Sequence, residues 1–361
     1  MQLALRLAQD APVTASPNPR VGCVITDSSG RILGRGHTQR VGGPHAEIMA
    51  LSDAAALGHS VHGATAWVTL EPCSHPGRTG PCCDALAAAG IAKVVASIGD
   101  PNPLVAGQGF QRLRAAGVLV ETGPGAAESR ELNIGFFTRM IRKTPWVRLK
   151  IAASLDGKTA LDNGASQWIT SEAARADGHA WRARADAILT GIGTVLQDDP
   201  QLDVRLAPTP RQPHLVLVDS RLETPLGAKL FGPARQLLIY FALPDPARQA
   251  ALQAQGATLV QMPGPNGKVD LAAMLRDLAR REVNELHVEA GHKLNGSLLR
   301  EGLVDELLVY IAPKLLGQGR NMAVFGPIAD LGQALALQFL STDMTGDDLR
   351  IVARIRGRDT F

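Results

Sequence analysis

Short apolar runs alternate with helix-like segments along the first part of the chain. The runs "RVGCVITD" and "RILGRGHT" flank a Ser-Ser-Gly turn, and "ATAWVTL", "KVVASIGD" and "VLVET" follow as further strand candidates. Between them, apolar residues recur at helical spacing from about His45, from Cys82 to Ala89 and in "GFQRLRAAG". This alternation predicts an α/β domain with helices on both faces of one sheet.

A second series of strands begins after residue 145. The segment "AAESRELNIGFFTRMIRK", residues 126–143, predicts one helix, which Thr144 and Pro145 should end. Strand candidates then run from "WVRLKIAAS" through "DAILTG", "HLVLVDS", "RQLLIYFA", "ATLVQM" and "ELHVEAG" to "VDELLVYIA", with helices near residues 171–184 and 270–281. We therefore expect two α/β domains, residues 1–143 and 146–361.

Composition and charge argue against several classes of protein. Of the 361 residues, 45% are hydrophobic and 20% charged, and a net charge of +3 without a basic tract gives little support to nucleic-acid binding. No run approaches the roughly 18 apolar residues of a membrane span, and "MQLALRLAQD" lacks the features of a signal peptide, so we expect a cytoplasmic protein. Four cysteines, three of them between residues 73 and 83, suit a metal site better than disulfides.

The stretch "GPHAEIMAL" places His45 and Glu47 at the start of a predicted helix. Downstream, Cys73 and Cys82 each follow a proline, and each could open a helical turn, where backbone N–H groups favour a thiolate. One imidazole and two thiolates leave the fourth position of a tetrahedral zinc ion open for a water. Glu47, near the metal but not bound to it, could move a proton from that water to a leaving amine.

Each of these residues also has an ordinary structural interpretation. His45 could cap or pack the helix, the cysteines could be small core residues, and Glu47 could be solvated. That interpretation is the better one for a single histidine or cysteine, but His-x-Glu followed by two Pro-Cys pairs favours zinc chemistry. Cys83 lacks the preceding proline, and we expect it to be a buried structural residue.

The first half of the chain resembles a known family. The His-Ala-Glu motif at residues 45–47, with Pro-Cys pairs at 72–73 and 81–82, is similar to the cytidine deaminase-like zinc fold. More closely, "SPNPRVGCVI", "PHAE", "TLEPCSHPGRTGPC" and "DPNP" resemble the deaminase half of the RibD family, the bifunctional enzymes of riboflavin biosynthesis. Many zinc deaminases have a Cys-x-x-Cys motif, whereas the longer loop between the cysteines here is typical of this family.

The resemblance implies hydrolytic deamination of 2,5-diamino-6-(5-phosphoribosylamino)pyrimidin-4(3H)-one. The zinc ligands would be His45, Cys73 and Cys82, and Glu47 would be the catalytic proton shuttle. Four further polar residues on loops could reach the pyrimidine or the ribose phosphate, namely Asn18, His75, Arg78 and Asn102. The two asparagines are flanked by prolines and could equally be turn residues for local reasons.

The second half has a weaker signal of its own. It has no G-x-G-x-x-G motif, but in "VEAGHKLNGSL" a predicted strand ends at Glu289, and Gly291 could lie against a phosphate at the start of the next helix. With "KIAASLDGKTA", "SQWIT", "GIGTVLQDDPQLDVR" and "VDSRLETP", this stretch resembles the reductase half of the same family. That resemblance implies a dihydrofolate reductase-like fold and NADPH as the cofactor.

By motif, the resemblance also implies two sets of site residues. The cofactor would contact Ala152, Trp168, Thr194, Asp198, Ser220, Gly291, His292, Lys293, Leu294, Asn295, Gly296 and Ser297. The substrate would contact Ser166, Arg182, Leu202, Arg205 and Glu289. Lys150 is a possible catalytic group, and Ser220, with or without Arg221, is the candidate partner of the NADPH 2′-phosphate. Taken alone, Trp168 would be a core residue, Arg182 part of a solvated helix face and Arg221 a solvated turn residue.

We therefore predict a bifunctional enzyme, a zinc deaminase followed by an NADPH-dependent reductase. Its partner would be a small phosphorylated pyrimidine, and a homo-oligomer is compatible with the sequence. One rival is a zinc deaminase of another base or nucleotide, whose second half serves only for oligomerisation. Another is a structural or metal-sensing zinc protein, for which Glu47 would be unnecessary and a fourth protein ligand expected.

Overall fold

The computed structural model describes residues 1–74, 80–103 and 105–361. These residues divide into a first unit, Met1–Arg142, and a second unit, Lys143–Phe361, so the division falls next to the predicted boundary at residues 143–146. Each unit has its own sheet and its own hydrophobic core. In the described part of the chain, no helix combines the length and apolar character that crossing a bilayer requires.

The first unit contains five strands and six helices among its described residues. The strands are β1 Gly22–Thr26, β2 Ile32–His37, β3 Thr65–Val68, β4 Lys93–Ala96 and β5 Leu119–Thr122. The helices are α1 Gln2–Gln9, α2 Ala46–Ala56, α3 Cys82–Ala88, α4 Gln108–Ala115, α5 Ala126–Leu132 and α6 Ile134–Arg142. In the sheet order β2-β1-β3-β4-β5, β1 is antiparallel to β2 and β3, whereas β3, β4 and β5 are parallel.

Two glycines of β2 bring helix α2 close to the sheet. A Cβ atom on Gly34 would lie 2.2 Å from the Ala50 carbonyl oxygen, and one on Gly36 would lie 2.4 Å from the Met49 Cβ. These distances are shorter than van der Waals contacts, so only glycine allows this approach. The contact fixes the helix whose first turn carries Glu47.

The prediction of one helix over residues 126–143 is wrong in one respect. The structure has two helices, α5 and α6, separated at Asn133. The Asn133 side chain accepts a hydrogen bond from Arg20 N at 2.7 Å and donates one to Arg20 O at 2.9 Å. Asparagine competes well for backbone hydrogen bonds, and here it ties the break to the segment that leads into β1.

The second unit contains eleven strands and five α-helices. The strands are β6 Trp146–Ser154, β7 Lys158–Leu161, β8 Ala187–Gly191, β9 His214–Val218, β10 Leu237–Phe241, β11 Thr258–Gln261, β12 Glu285–Val288, β13 Glu306–Ala312, β14 Gly319–Asn321, β15 Leu337–Thr345 and β16 Asp348–Ile355. The helices are α7 Glu172–Arg184, α8 Ile192–Asp198, α9 Pro246–Ala254, α10 Leu271–Arg280 and α11 His292–Arg300. The strand candidates of the sequence all correspond to strands here, whereas the hairpin of β15 and β16 was not predicted.

Seven parallel strands form most of the large sheet of the second unit. The order is β11-β10-β9-β8-β12-β6-β13-β16-β15, and only β16 and β15 run antiparallel to their neighbours. Strands β14 and β7 form a separate two-stranded sheet. Because the carboxyl ends of parallel strands meet at one edge, the residues that follow β8, β9 and β12 lie along the same edge, where α/β proteins bind ligands.

A row of buried charges crosses the middle of this sheet. Arg148 on β6 donates to Glu306 on β13 at 2.5 Å and to Glu285 on β12 at 3.0 Å. Arg354 on β16 donates to the second oxygen of Glu306 at 3.0 Å, and the Arg148 guanidinium lies 4.5 Å from the ring centroid of Trp181 on α7. Each charge therefore has an opposite charge on the neighbouring strand, as burial requires.

Candidate active sites

His45, Cys73 and Cys82 bring their potential ligand atoms together in the first unit. The His45 Nδ1 atom lies 3.6 Å from Cys73 Sγ and 3.4 Å from Cys82 Sγ, and the three atoms lie within 4.8 Å of one another. A tetrahedral zinc ion with ordinary bond lengths places sulfur and nitrogen ligands about 3.6 Å apart. Within the described residues, no other histidine, cysteine and carboxylate group of this size could hold a metal ion. The donor set therefore fits zinc.

Helix starts position two of these three residues. His45 is the N-cap of α2, but its ring faces the sulfur atoms instead of capping the helix, so the interpretation of His45 as a cap is wrong. Cys82 is the first residue of α3, as predicted. The turn that Cys73 was predicted to open would fall on residues 75–79, which lie outside the described residues. The Cys73 sulfur accepts a hydrogen bond from Cys82 N at 3.4 Å, so the amide at the start of α3 favours the Cys73 thiolate.

The two thiols share their protons unequally. Hydrogen bonding with Cys82, followed by that with His45, lowers the pKa of Cys73 to about 4. The same contact with Cys73, together with burial, raises the pKa of Cys82. Two adjacent thiolates repel each other, so without a cation one of the two thiols keeps its proton. Binding of a divalent metal ion would displace this remaining proton.

Glu47 lies beside this group and is buried. It is 4% exposed, so the interpretation of Glu47 as a solvated residue is wrong. Burial and, to a smaller extent, the nearby Cys73 thiolate raise its pKa to about 7, whereas His45 opposes the shift. A carboxyl group with a pKa near neutrality can both accept and return a proton at physiological pH. The geometry therefore suits a proton shuttle.

Other predicted residues of the first unit have mixed outcomes. Cys83 is 1% exposed and belongs to the hydrophobic core, which confirms its structural role. Asn102 lies in a turn held by its own amide, which donates to Asp100 Oδ1 at 2.7 Å. His75 and Arg78 lie outside the described residues.

Glu71, two residues before Cys73, was not predicted as a site residue. Its carboxylate is 3% exposed and accepts hydrogen bonds from four backbone N–H groups between residues 100 and 110. It therefore connects the zinc-ligand segment to the segment that carries Asn102. No periodic sequence pattern predicts the role of such a residue. The only signal in the sequence is a carboxylate two positions before a predicted zinc ligand.

In the second unit, the predicted substrate residues Arg182 and Glu289 form a partly buried ion pair. Arg182 on α7 makes a two-pronged contact with the Glu289 carboxylate, in which Nη2 lies 2.9 Å from Oε2 and Nε donates to Oε1. Lys150 Nζ on β6 lies 3.8 Å from the same carboxylate, and His287 Nε2 lies 3.3 Å from it. The interpretation of Arg182 as a solvated residue is therefore wrong.

Burial and charge affect Lys150 and Glu289 in different ways. Burial lowers the pKa of Lys150, and Glu289 offsets this only in part. Burial would raise the pKa of Glu289, but Arg182 and Lys150 overcome it and hold this pKa well below its usual range. The site therefore combines a firmly ionised carboxylate with an ammonium group that gives up its proton more readily than usual.

Three of the predicted cofactor residues, Thr194, Gly291 and Leu294, lie in or at the start of the helices that follow β8 and β12 at the carboxyl edge of the sheet. A Cβ atom on Gly291, the N-cap of α11, would lie 3.8 Å from Thr194 Oγ1 on α8, and one on Gly191 would lie 3.1 Å from Leu294 Cδ2. The starts of α8 and α11 are thus neighbours. Exposed N–H groups at a helix start beside a residue without a side chain fit a phosphate.

Some of the predicted cofactor residues serve other contacts. Asn295 donates to the Met322 carbonyl at 3.0 Å, and a Cβ on Gly296 would lie 2.0 Å from the Val324 carbonyl oxygen. These two residues therefore pack against the segment around β14. Trp168 is 60% exposed, with the Arg175 guanidinium 4.5 Å from its ring centroid, so the interpretation of Trp168 as a core residue is wrong.

The remaining predicted substrate residues differ in their surroundings. The Leu202 side chain is buried in the hydrophobic core, so its backbone is the part that could meet a substrate. Arg205 N donates to His179 Nδ1 at 3.1 Å, and its guanidinium pairs with Asp203 at 2.6 Å. Ser166 is half-buried.

Comparison with known proteins agrees with the division into two halves. The family model of the "Cytidine and deoxycytidylate deaminase zinc-binding region" matches residues 1–98. That of the "RibD C-terminal domain" matches residues 145–351. The two matches correspond to the predicted cytidine deaminase-like and dihydrofolate reductase-like α/β folds.

Similar proteins cover nearly the whole chain. The riboflavin biosynthesis proteins RibD of Escherichia coli and Aquifex aeolicus are 44% and 40% identical to it, each over 97% of this chain and 96% of the relative. The structure of Acinetobacter baumannii RibD matches with a TM-score of 0.88 at 38% identity, over 98% of this chain and 97% of the other. A Thermotoga maritima "diaminohydroxyphosphoribosylaminopyrimidine deaminase/ 5-amino-6-(5-phosphoribosylamino)uracil reductase" matches with a TM-score of 0.86 at 30% identity, with the same coverage.

The extent of these matches excludes a zinc deaminase with an unrelated second half. The chain belongs to the RibD family and is a bifunctional, zinc-dependent deaminase and NADPH-dependent reductase of riboflavin biosynthesis.

Proposed function

We propose that the first unit deaminates 2,5-diamino-6-(5-phosphoribosylamino)pyrimidin-4(3H)-one and that the second unit reduces the ribosyl side chain of the product to ribityl. The observation that carries the proposal is the buried Glu47 beside three converging zinc-ligand atoms. A structural zinc site would not need that carboxyl group. The two activities for which the Thermotoga maritima protein is named support the choice of substrate.

In the deamination step, His45, Cys73 and Cys82 would hold the zinc ion. When bound, zinc supplies Lewis acidity that activates water and polarises the pyrimidine. Glu47 takes one proton from the water, and the water oxygen adds to the carbon that carries the amine. The carbon–nitrogen bond then breaks as Glu47 gives that proton to the leaving nitrogen. Ammonia leaves, and Glu47 regains its starting state.

In the reduction step, the ionised Glu289 would hold ribose hydroxyl groups, and Arg182 and Arg205 would meet the substrate phosphate. NADPH supplies the hydride for the sugar carbon attached to nitrogen. The sugar ring must open, and its oxygen then needs a proton. Lys150 is the proposed donor, because burial lowers its pKa and its Nζ lies 3.8 Å from Glu289 Oε2.

The cofactor would lie along the carboxyl edge of the large sheet, with its phosphates at the start of α11. The residues proposed to line it are Ala152, Trp168, Thr194, Asp198, Ser220 and the segment 291–294, with Ser297. Asn295 and Gly296 would support this segment from behind, through their contacts with Met322 and Val324.

The turn after β9 is the proposed reader of the 2′-phosphate. The Asp219 carboxylate accepts hydrogen bonds from Glu223 N and Thr224 N, both at 2.9 Å, so it is engaged within the turn. Arg221 is exposed, and Ser220 is half-buried. With the Asp219 carboxylate engaged, the Ser220 hydroxyl and the Arg221 guanidinium suit a phosphate better than a ribose hydroxyl.

We also propose that two copies of the chain pair through β15. This strand is the edge of the large sheet and is nine residues long, and its apolar side chains Phe339 and Met344 are 67% and 66% exposed. A long, apolar edge strand is an aggregation hazard unless another strand covers it. A second β15, related by a two-fold axis, would satisfy its backbone and its side chains together.

Replacing a zinc ligand should remove the metal. We expect Cys82→Ser to lose most of its zinc, because a tetrahedral site with three protein ligands cannot spare one. Cys83→Ser is the matched control and should keep its zinc, since Cys83 packs in the core. Metal analysis of the purified variants measures this, and full zinc occupancy in Cys82→Ser would contradict the ligand assignment.

Glu47→Gln should separate the two activities. The amide is nearly isosteric but cannot carry a proton, so zinc should remain while deamination slows by about a hundredfold or more. Ammonia release without NADPH measures the first activity, and ribityl product from deaminated substrate with NADPH measures the second. The second rate should equal that of the parent protein. Deamination at the parent rate would show that another group moves the proton.

Replacing both Ser220 and Arg221 with alanine should weaken NADPH and not NADH. The loss should be about 1.5 to 3 kcal/mol, the range for hydrogen bonds to a charged group. Titration of each cofactor by fluorescence measures it, and Arg280→Ala, which removes an exposed cation on α10, is the control. Equal losses for both cofactors would mean that the turn only supports the fold.

Phe339→Asp should shift the protein towards a monomer. A carboxylate on this strand would place one negative charge from each copy in an apolar interface, which opposes pairing. Light scattering after size-exclusion chromatography measures the mass. Leu57→Asp, at a similarly exposed leucine of the first unit, should leave the mass unchanged. An unchanged mass for Phe339→Asp would reject β15 as the interface.

A further inference from the structure

The Glu71 carboxylate accepts four backbone hydrogen bonds from one segment of the first unit. Its Oε2 atom accepts from Asp100 N at 3.2 Å and from Gly107 N at 2.9 Å. Its Oε1 atom accepts from Gly109 N at 2.9 Å and from Phe110 N at 3.2 Å. A buried carboxylate must find hydrogen-bond partners, and this segment supplies them.

Three of the four N–H groups belong to the start of helix α4. Gly107 is its N-cap and has no side chain, and Gly109 and Phe110 lie in its first turn. The first N–H groups of a helix lack partners within the helix and carry the positive end of its dipole. Glu71, 36 to 39 residues away in sequence, caps the helix from another segment. The start of α4 is therefore already occupied by an anion and is not a phosphate site.

The same contact fixes the backbone next to a zinc ligand. A Cβ on Gly109 would lie 2.0 Å from the carbonyl oxygen of Pro72, the residue between Glu71 and Cys73. The Glu71 amide donates to the Ile98 carbonyl at 3.0 Å. Its backbone thus continues the pairing of β3 with β4, while its side chain holds the start of α4 against Pro72.

On its other side, Glu71 determines the course of the chain at Asn102. Its partner Asp100 accepts a hydrogen bond from Asn102 N at 2.7 Å. The Asn102 carbonyl in turn accepts from Val105 N at 2.8 Å and from Ala106 N at 3.0 Å. A continuous series of hydrogen bonds therefore runs from the carboxylate beside Cys73 to the turn that carries Asn102.

We propose that Glu71 is a positioning residue of the deaminase site, which holds the Asn102 turn at a fixed place relative to the zinc ligand Cys73. The inference rests on the proposed deamination and on the expectation from the family resemblance that Asn102 reaches the substrate. Because Glu71 acts through the turn, its loss should weaken substrate binding more than it affects the metal or the chemical step. A purely structural role would lower the amount of folded protein and leave KM unchanged.

Glu71→Gln in the full-length protein tests this proposal. One amide NH2 group would face N–H donors, so at least one pair of hydrogen bonds is lost. We expect KM for deamination to rise about tenfold or more, which is the effect of losing about one hydrogen bond between the displaced turn and the charged substrate. The kcat should change less than KM, and zinc content and the reduction of deaminated substrate should equal those of the parent. Glu71→Asp, which keeps the charge, should recover part of the change in KM.

Hydrogen exchange and a matched control complete the test. The amides of Gly107, Gly109 and Phe110 should exchange faster in Glu71→Gln. Glu121→Gln removes an exposed carboxylate that pairs with Lys93 at 2.8 Å, and it should change neither KM nor these amides.

Two outcomes overturn the inference. An unchanged KM in Glu71→Gln despite faster exchange would limit Glu71 to a structural role, and loss of zinc would make it a support of the metal site alone. If the parent protein does not deaminate the proposed pyrimidinone, the assignment of the substrate fails instead, and the exchange data still report whether Glu71 holds the segment.

Discussion

The second unit depends on the buried Arg148, which joins three adjacent strands through Glu285 and Glu306. Side chains two residues apart on a strand point to the same face, so the row that begins with these charges continues towards the carboxyl edge. On β12 it passes from Glu285 to Glu289, and on β6 from Arg148 to Lys150. A shift of one residue in any of these strands would move a charged side chain to the opposite face of the sheet. The pairing of Arg148 with Glu285 and Glu306 therefore also fixes the register of the site residues on the same strands.

The two ends of this row differ in how completely their charges are matched. In the middle of the sheet, Glu306 accepts a hydrogen bond from Arg148 with one oxygen and from Arg354 with the other. At the carboxyl edge, Arg182 takes both oxygens of Glu289, and Lys150 lies farther away at 3.8 Å. Both oxygens of Glu306 are therefore already bound by arginines. At the carboxyl edge, by contrast, Lys150 keeps an ammonium group whose nearest carboxylate, Glu289, is paired with Arg182. Complete pairing therefore distinguishes the structural charges of this row from those proposed to react.

Much of the fold followed from the sequence because periodicity is local. The parallel strands, the helices around residues 172–184 and 271–280, and the triad of zinc ligands were predicted from apolar spacing and from Pro-Cys pairs. What was missed depends on contacts between distant segments. Asn133 breaks a helix because it binds Arg20, and Glu71 caps a helix that begins 37 residues later. Strand β15 was missed because its residues are exposed on both faces and show no simple alternation.

The two sites also depend on different kinds of support. In the second unit, Lys150 pairs with Leu308 on β13, and Glu289, directly after β12, donates its N–H to the Leu189 carbonyl at 2.9 Å. The sheet that forms the core therefore also positions these two residues. In the first unit, the proposed zinc ligands His45 and Cys82 sit at the starts of α2 and α3, and Cys73 lies outside the strands. There, the glycines of β2 that let α2 approach the sheet closely help to position the site residues of α2. Side chains that bind backbone amides do the same. A site built on helix starts and on a segment outside the strands thus relies on long-range polar contacts of the kind that Glu71 makes.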